Sequence, residues 1–304
     1  MQVSESFYEK KNLLRRSMTH AARRLAHRPR IIASLTSYPP RIGTVNVAIQ
    51  SLLAQHCLPD LIVLWLYTED FPRREKDLPP QLLHQLAHDV QIRWVDRDLK
   101  PHKKYFWALQ EFPDDVVITF DDDLIYRNDL VADLMASYES HPKAISATRT
   151  HLITFDSSGR RNPYPEWIYE APHYNPGLVG IPSMQLFATT GAGTLFPPRL
   201  MPEATFDVAT IERTCLTADD LWMKGMQLMA GIPVVACSSN QLLNYVPDTQ
   251  GVALCHVNTE QGKNSEIFER VLDHCERLSG GRDLAALMKD KTMSALYDSG
   301  KESK

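Results

Sequence analysis

The sequence predicts an α/β protein in which a mostly parallel sheet is flanked by helices, and three observations support this class. Short apolar segments alternate with segments of helical periodicity between residues 31 and 127, as in βαβ units. The apolar segments lack polar alternation, as expected of strands that are covered on both faces. Asp121, Asp122 and Asp123 directly follow the fourth apolar segment, and open sheets of this class bind ligands at the carboxyl ends of their strands.

The first half of the chain contains four predicted strands with helices between them. Each strand is an apolar run, and Pro39 and Pro40 turn the chain away after the first one, because proline cannot donate to a sheet ladder. The predicted strands cover residues 31–35, 61–67, 90–96 and 114–120, and the predicted helices cover 44–55 and 102–111.

The second half is less regular, so fewer elements are predicted there. Residues 144–155 suit one strand or two, and 189–198 form a glycine-rich turn that leads into a short apolar stretch. Gly231 ends a helix over 218–231, as glycine does at many helix C-termini. A further strand is expected at 232–237, and two terminal helices at 265–278 and 282–297.

Charge is distributed unevenly along a chain of ordinary globular composition. The 304 residues carry a net charge of -4, which does not indicate nucleic acid as a partner. Residues 2–30 carry eight Lys or Arg and only two Glu. A helix over 5–27 would have an apolar stripe among these charges, which suits contact with an anionic membrane surface, docking on the acidic body or packing against a second subunit.

Cysteine content and apolar patterning indicate a cytoplasmic protein. No apolar run reaches the ~18 residues that a membrane span needs, and the charged N-terminal region does not resemble a secretion signal. The five cysteines form no CxxC pair, which favours reduced thiols over a disulfide framework or a zinc site.

The three aspartates after the fourth strand are candidates for divalent metal binding. Asp121 and Asp123 would point to the same side of an extended chain, and carboxylate oxygens suit Mg²⁺ or Mn²⁺. The alternative is a solvated turn in which Asp123 or Asn128 caps a helix. His256 is a candidate third ligand, although imidazole suits these ions less well than oxygen does.

Two further pairs of charged residues are candidates for chemistry. Lys103 and Lys104 near a helix N-terminus would neutralise a diphosphate, or they are ordinary surface lysines. Asp219 and Asp220 open a helix that Thr217 can cap, where acidic residues have a structural role. A carboxylate at this place can instead act as a general base.

Aromatic residues cluster between positions 162 and 174. Their faces can stack on sugar rings, although packing under a proline-rich loop would explain them as well. The four residues are Tyr164, Trp167, Tyr169 and Tyr174.

The ordered set of motifs resembles a glycosyltransferase of the GT-A fold, close to the bacterial family-two-like enzymes of capsule and lipopolysaccharide synthesis. The resemblance covers roughly residues 30–270. Each motif is short, and their order and spacing carry the similarity. They are "SLTSYPPR", "SLLAQ", "LIVLWL", "HKKY", "ITFDDDLIY", "TGAGTLFPP" and "TADDLW".

The resemblance implies a role for each matching residue. It implies a catalytic domain over 31–264, with the nucleotide sugar in 31–127 and the acceptor in 128–264. Charge and periodicity add a basic helix over 1–30 and C-terminal helices over 265–304. Asp121 and Asp123 would hold the metal, Asp122 would contact ribose or metal, and Asp220, or else Asp219, would be the base of an inverting transfer. Tyr164 and Trp167 would meet the acceptor, and the implied donor-binding residues are Thr36, Ser37, Tyr38, Glu69, Asp96, Lys103, Lys104, Gly191 and Gly193.

Three other functions are weighed against this resemblance. A haloacid-dehalogenase-type phosphatase also has Asp-x-Asp after a strand, but it needs Thr or Val two positions beyond the second Asp and a later GDxxxD. This sequence has Leu124, Ile125 and Tyr126 after Asp123 and contains no GDxxxD. A sugar nucleotidyltransferase would show a glycine-rich loop after the first strand, where this chain has "TSYPPR". A non-catalytic scaffold would not need both aspartate pairs. The expected enzyme uses Mn²⁺ or Mg²⁺, a nucleotide-sugar donor and a glycan or lipid-linked acceptor, and it lies in the cytoplasm or at the inner membrane face.

Overall fold

The described chain builds a seven-stranded sheet around which the helices pack. The computed structural model describes residues 28–86, 90–249 and 263–301. The predicted helix over 5–27 and His256 lie outside these residues. The sheet order is β3-β2-β1-β4-β8-β5-β9, and β6 and β7 form a separate antiparallel pair. The strands are β1 (Ile31–Thr36), β2 (Leu61–Tyr67), β3 (Val90–Val95), β4 (Val116–Phe120), β5 (Ile145–Ala147), β6 (Thr150–Leu152), β7 (Leu186–Ala188), β8 (Ala192–Phe196) and β9 (Val234–Ala236).

Four of the helices in the described residues, which begin at Val45, Lys103, Asp219 and Lys263, lie where the sequence periodicity predicts a helix. Four others, which begin at Pro80, Leu130, Ala171 and Val208, were not predicted, and the last two helices of the described chain lie where one helix was predicted. The helices are α1 (Val45–Leu53), α2 (Pro80–Gln85), α3 (Lys103–Glu111), α4 (Leu130–Ser140), α5 (Ala171–Tyr174), α6 (Val208–Thr214), α7 (Asp219–Ala230), α8 (Lys263–Leu278), α9 (Leu284–Leu287) and α10 (Lys291–Lys301).

The four strands of the first half are parallel and covered on both faces, as their apolar sequences predict. β1 pairs in parallel with β2 and with β4, and β2 pairs with β3. Side chains alternate between two apolar clusters: Ile31 and Leu35 of β1 belong to one, whereas Ile32 lies in the other. Thr36 and Asp121 therefore emerge at the same edge of the sheet. The predicted α/β class with a mostly parallel sheet flanked by helices is confirmed.

One antiparallel strand interrupts the parallel order. β8 lies between β4 and β5 and runs antiparallel to both, with a register shift between Thr119 and Phe120. The predicted stretch after the glycine-rich turn is this strand. Its insertion places Gly191 beside the end of β4, because the Asp121 amide donates to the Gly191 carbonyl at 2.9 Å. Residues 144–155 hold two strands, β5 and β6.

The C-terminal helices join the same hydrophobic core. Phe268 and Val271 of α8 are fully buried with Trp222 of α7. The single helix predicted over 282–297 is wrong, because the chain forms α9 and α10 instead. Asp290 separates them, since its carboxylate accepts from the amides of Thr292 and Met293 and so begins a new helix.

In the part of the chain that the structure describes, no helix combines the length and apolar character that crossing a membrane requires.

Candidate functional site

A cleft of about 730 Å³ opens at the carboxyl ends of β1 and β4. Most predicted site residues line it, although they come from six separate stretches of sequence. Those at the cleft wall are Thr36, Ser37, Tyr38, Lys103, Lys104, Asp121, Asp122, Asp123, Tyr164, Gly191, Asp219 and Asp220.

Lys104 joins the two aspartate motifs. It is buried on the first turn of α3, and its ammonium lies 2.7 Å from Asp121 Oδ1 and 2.9 Å from Asp219 Oδ2. Burial lowers the pKa of Lys104, but the carboxylates of Asp121, Asp219 and Asp220 outweigh that effect and hold the pKa above its usual value. A permanently charged lysine therefore connects the end of β4 with the start of α7.

Gly191 allows the close approach of Asp121. A Cβ atom at residue 191 would lie 1.7 Å from Asp121 Oδ2, so no larger residue fits without moving that carboxylate. The Tyr126 hydroxyl holds the same backbone, since it accepts from the Asp121 amide at 2.8 Å and donates to the Gly191 carbonyl at 2.7 Å. Asp121 is fixed in its backbone, while its side chain remains 42% exposed.

Arg41 neutralises Asp122 and Asp123. It was not among the site residues predicted from the sequence. Its guanidinium lies 2.9 Å from Asp122 Oδ1 and 3.1 Å from Asp123 Oδ2. The Ser37 hydroxyl also donates to Asp122, at 2.5 Å. Burial raises the pKa of Asp122 above its usual value, although Arg41 and Ser37 act against that shift.

Asp219 and Asp220 are neighbours with opposite pKa shifts. The Thr190 hydroxyl lies 2.7 Å from Asp219 Oδ2 and 2.5 Å from Asp220 Oδ1, and the Thr190 amide donates to Asp220 at 2.8 Å. Burial, followed by the charge of Asp219, raises the pKa of Asp220 to about 7. Burial acts to raise the pKa of Asp219, but Lys104, His102 and the Thr190 hydroxyl together outweigh it and lower that pKa. Asp219 therefore favours the ionised form, whereas Asp220 keeps its proton to a higher pH than an ordinary aspartic acid.

A buried histidine ties α3 to the loop before α7. His102 is fully buried, and its Nε2 lies 2.9 Å from the Cys215 carbonyl and can only donate to it. Nδ1 then accepts from the Tyr105 hydroxyl at 2.8 Å. Burial lowers the pKa of His102 to about 4, so the ring is neutral and structural. Nothing in the sequence distinguished it from the other histidines.

Lys103 pairs with Asp98, two residues beyond Asp96, which was a predicted donor-binding residue. Its ammonium lies 2.5 Å from Asp98, which lines the cleft, whereas Asp96 is exposed and does not. Glu69 is also exposed outside the cleft wall, where Asp70 stands instead. Both differences follow from turns after β2 and β3 that change the side-chain direction.

One wall of the cleft is aromatic. His151, Tyr164, Tyr169 and Phe187 line it, and the rings of His151 and Tyr169 are 4.6 Å apart. Trp167 is buried behind this wall and does not face the cleft. Its ring packs against that of Tyr164, with 4.7 Å between the ring centroids.

Two other residues of the sequence-based set also lie outside the cleft wall. Gly193 packs against Leu130, with a φ of +102° that favours glycine. Tyr174 is 53% exposed and does not line the cleft either.

The donor set fits a divalent ion that takes part of its coordination from a substrate. Asp121 and Asp123 offer hard carboxylate oxygens on one cleft wall, as Mg²⁺ and Mn²⁺ prefer. Among the described residues no group of three His, Cys, Asp or Glu could enclose a metal ion. Phosphate oxygens and water would have to complete the shell, which is the usual arrangement for Mg²⁺.

Comparison with known proteins finds distant similarity in structure and none in sequence. No protein-family model matches the chain, and no curated protein matches it at a significant level. A mannosyltransferase from Pyrobaculum calidifontis, whose structure contains GDP-Man and Mn²⁺, is 14% identical with a TM-score of 0.47, over 91% of this chain and 80% of that one.

Two solved structures of another enzyme are also similar. 4-Diphosphocytidyl-2C-methyl-D-erythritol synthase from Anaerococcus prevotii is 14% identical with a TM-score of 0.36, over 61% of this chain and 76% of that one. A second structure of an enzyme of that name is 11% identical with a TM-score of 0.42, over 76% of this chain and 100% of that one.

Proposed function

We propose that the protein is a metal-dependent, inverting glycosyltransferase that moves a sugar from a nucleoside-diphosphate donor to a hydroxyl of a glycan or lipid-linked acceptor. One observation carries the proposal. Lys104 contacts both Asp121, at 2.7 Å, and Asp219, at 2.9 Å. The proposed metal ligands, Asp121 and Asp123, therefore share one cleft with the candidate bases, Asp219 and Asp220. Transfer needs a site for the diphosphate and a base for the acceptor in that relation.

The donor would lie along the edge formed by β1 and β4. Asp121 and Asp123 would hold Mn²⁺ or Mg²⁺, which when bound supplies positive charge to the leaving diphosphate. Lys103 and Lys104 would add positive charge near the same phosphates. Thr36, Ser37 and Tyr38 follow β1 on the cleft wall and would receive the nucleoside. Gly191 leaves room beside Asp121 for the sugar.

Asp220 would accept the proton of the attacking hydroxyl. A base acts best when its pKa is near the working pH, and the pKa of Asp220 is raised to about 7. Asp219 is held ionised by Lys104, which leaves it a fixed charge and favours Asp220 as the base. The acceptor would enter over the aromatic wall of His151, Tyr164 and Tyr169, where ring faces can stack on a sugar.

The motif resemblance supports an activity in surface-polysaccharide synthesis of the bacterial family-two-like type. Acceptors of that kind are held at the inner membrane face, which would give the basic N-terminal arm a role in peripheral binding. The catalytic unit would comprise residues 31–264, with the arm before it and the terminal helices after it.

Release of nucleoside diphosphate from a panel of nucleotide sugars tests the proposal. In Mn²⁺ the wild-type protein should hydrolyse or transfer from at least one donor, and EDTA should abolish that release. Asp123→Asn should lower both donor affinity and rate, whereas Asp129→Asn, on the exposed side of the same segment, should leave both unchanged. Full activity in EDTA would refute metal dependence, and a protein inert toward every donor would refute the transferase assignment.

A further inference from the structure

Arg41 is held in a buried position beside the aspartate triplet by the turn after β1. Its amide donates to the Tyr38 carbonyl at 2.9 Å, and its side chain is only 11% exposed. The guanidinium bridges Asp122 and Asp123, which are 81 and 82 positions further along the chain. A charge placed in this way belongs to the tertiary structure of the cleft.

The two contacts of Arg41 are unequal. Nη1 donates to Asp122 Oδ1 at 2.9 Å, and Asp122 is fixed from the other side by Ser37. Nη2 lies further from Asp123 Oδ2, at 3.1 Å. Within the described residues Arg41 Nε is buried without a hydrogen-bond partner, so the bridging geometry leaves one strong donor unused.

Asp121 and Asp123 differ in what they must give up to bind a metal ion. Asp121 contacts Lys104 through Oδ1 but is 42% exposed, so it keeps a face open to the cleft. Asp123 is 8% exposed and has Arg41 against it. A divalent cation at Asp123 would sit next to the guanidinium, and like charges at that separation repel. Asp123 can therefore coordinate a metal ion without this repulsion only when the Arg41 guanidinium moves away from its carboxylate.

We infer that Arg41 is a displaceable counter-ion: it neutralises Asp123 while the cleft is free of metal and yields this carboxylate to the incoming divalent cation. The inference rests on the proposed metal dependence and adds a residue that competes with the metal. Arg41 stays attached to Asp122 during the exchange. Its freed donors then face the side of the cleft where the diphosphate would bind, and a phosphate oxygen accepts well from a guanidinium.

Mn²⁺ binding without nucleotide tests the competition directly. Free Mn²⁺ is measured by electron paramagnetic resonance at pH 8 for the wild type, Arg41→Met and Arg41→Lys. Arg41→Met removes the competing charge and should bind Mn²⁺ about tenfold more tightly. Arg41→Lys keeps a charge but cannot bridge two carboxylates as a fork, so its gain should be smaller, about threefold. Thermal unfolding by circular dichroism shows whether each variant is folded, and Arg41→Lys carries the test if Arg41→Met is not.

A double-mutant cycle assigns the effect to Asp123. In an Asp123→Asn background, Arg41→Met should no longer change Mn²⁺ affinity, because the contested carboxylate is gone. Equal or weaker Mn²⁺ binding by both folded Arg41 variants would overturn the inference while leaving metal dependence intact. Absence of Mn²⁺ binding in every protein, with donor turnover that survives EDTA, would overturn the inference together with the proposed metal dependence.

Discussion

Asp219 and Asp220 are chemically identical neighbours that the fold has made different. Lys104 contacts Asp219 at 2.9 Å, and the pKa of Asp219 is lowered even though burial opposes the shift. The pKa of Asp220 is raised by burial and by the charge of Asp219. The contact with Lys104, together with unequal surroundings, thus separates the pKa values of two adjacent carboxylates.

The pH dependence of turnover should follow the ionisation of Asp220. With a pKa of about 7, the protonated acid cannot accept a proton, so kcat should fall about tenfold per pH unit below that value. Asp220→Asn should lose two to four orders of magnitude in kcat, with donor binding nearly unchanged. Initial rates between pH 5 and 9 measure this. If Asp219→Asn gives that profile and Asp220→Asn does not, the base is Asp219.

Stability should respond to the same two residues with opposite sign. The folded-state pKa of Asp220 is raised, so the folded protein binds a proton that the unfolded chain loses between about pH 4 and 7. Stability from this group therefore falls as pH rises through that window. Asp220→Asn removes the penalty and should stabilise the protein above pH 7 by ~1–3 kcal/mol.

Asp219→Asn is the matched control for this effect. The folded-state pKa of Asp219 is lowered, so its contribution to stability is present above its unfolded pKa. Removing it also leaves the buried Lys104 with fewer counter-charges, and the variant should be destabilised at pH 8. Urea unfolding at pH 5 and pH 8 compares the two. Destabilisation of both variants at pH 8 would contradict the raised pKa of Asp220.

Elements bring the site together at the point where β8 enters the sheet. β8 runs antiparallel beside β4, and the turn before it carries Thr190 to Asp219 and Asp220 and carries Gly191 to Asp121. The turn before this strand thus holds the proposed metal ligand Asp121 close to the candidate bases Asp219 and Asp220. The helices α3 and α7 add Lys104 and Asp219, which are 115 positions apart in the sequence.

Substitution of Gly191 tests this alignment. A methyl group there would lie 1.7 Å from Asp121 Oδ2, so Gly191→Ala must displace the carboxylate. We expect Mn²⁺-dependent turnover to fall by at least tenfold, since a misplaced charged group costs about that much, while the fold survives. Gly43→Ala is the control, because nothing lies within 4 Å of its added methyl group. Unchanged turnover in Gly191→Ala would show that Asp121 does not need its present position.

The strands of the first half and the aspartate pairs could be predicted because each is a local pattern, whereas β7 (Leu186–Ala188) was not predicted. An apolar run followed by Asp121 marks a strand end, and Asp219–Asp220 marks a helix start. Arg41 and Asp98 could not be predicted, because their partners are set by contacts between distant segments or by the direction of a turn. The position of β8 was equally hidden, since periodicity says nothing about strand order. Glu69 and Asp96 were chosen for their place after a strand, and the turns point them elsewhere.

At the scale of the whole molecule, the described residues form one layered α/β unit whose cleft lies on one edge of the sheet. The strand order brings β1 and β4 side by side, although 79 residues lie between the last residue of β1, at 36, and the first residue of β4, at 116. Helix α8 packs on α7, and Asn264 from its first turn lies at the cleft wall. Both halves of the chain therefore contribute to a single site.

The basic N-terminal arm is predicted to hold the protein reversibly on anionic lipid. Each basic residue near such a surface contributes ~1 kcal/mol, and the arm carries eight of them against two acids. Sedimentation with anionic vesicles should recover the full chain, less of it as salt rises, and should not recover a chain that starts at Pro29. Equal recovery of the two proteins would remove the membrane role and favour docking of the arm on the protein body.

Thermal unfolding with a panel of nucleoside diphosphates and nucleotide sugars, each with and without Mn²⁺, tests the central claim most directly. A ligand at a hundred times its Kd stabilises a protein by ~2.7 kcal/mol, which corresponds to a rise in Tm of about 5 °C. We predict such a rise for a nucleotide sugar only when Mn²⁺ is present, and its loss in Asp121→Asn and Asp123→Asn. No rise with any ligand, or an equal rise in EDTA and in both variants, would contradict the account.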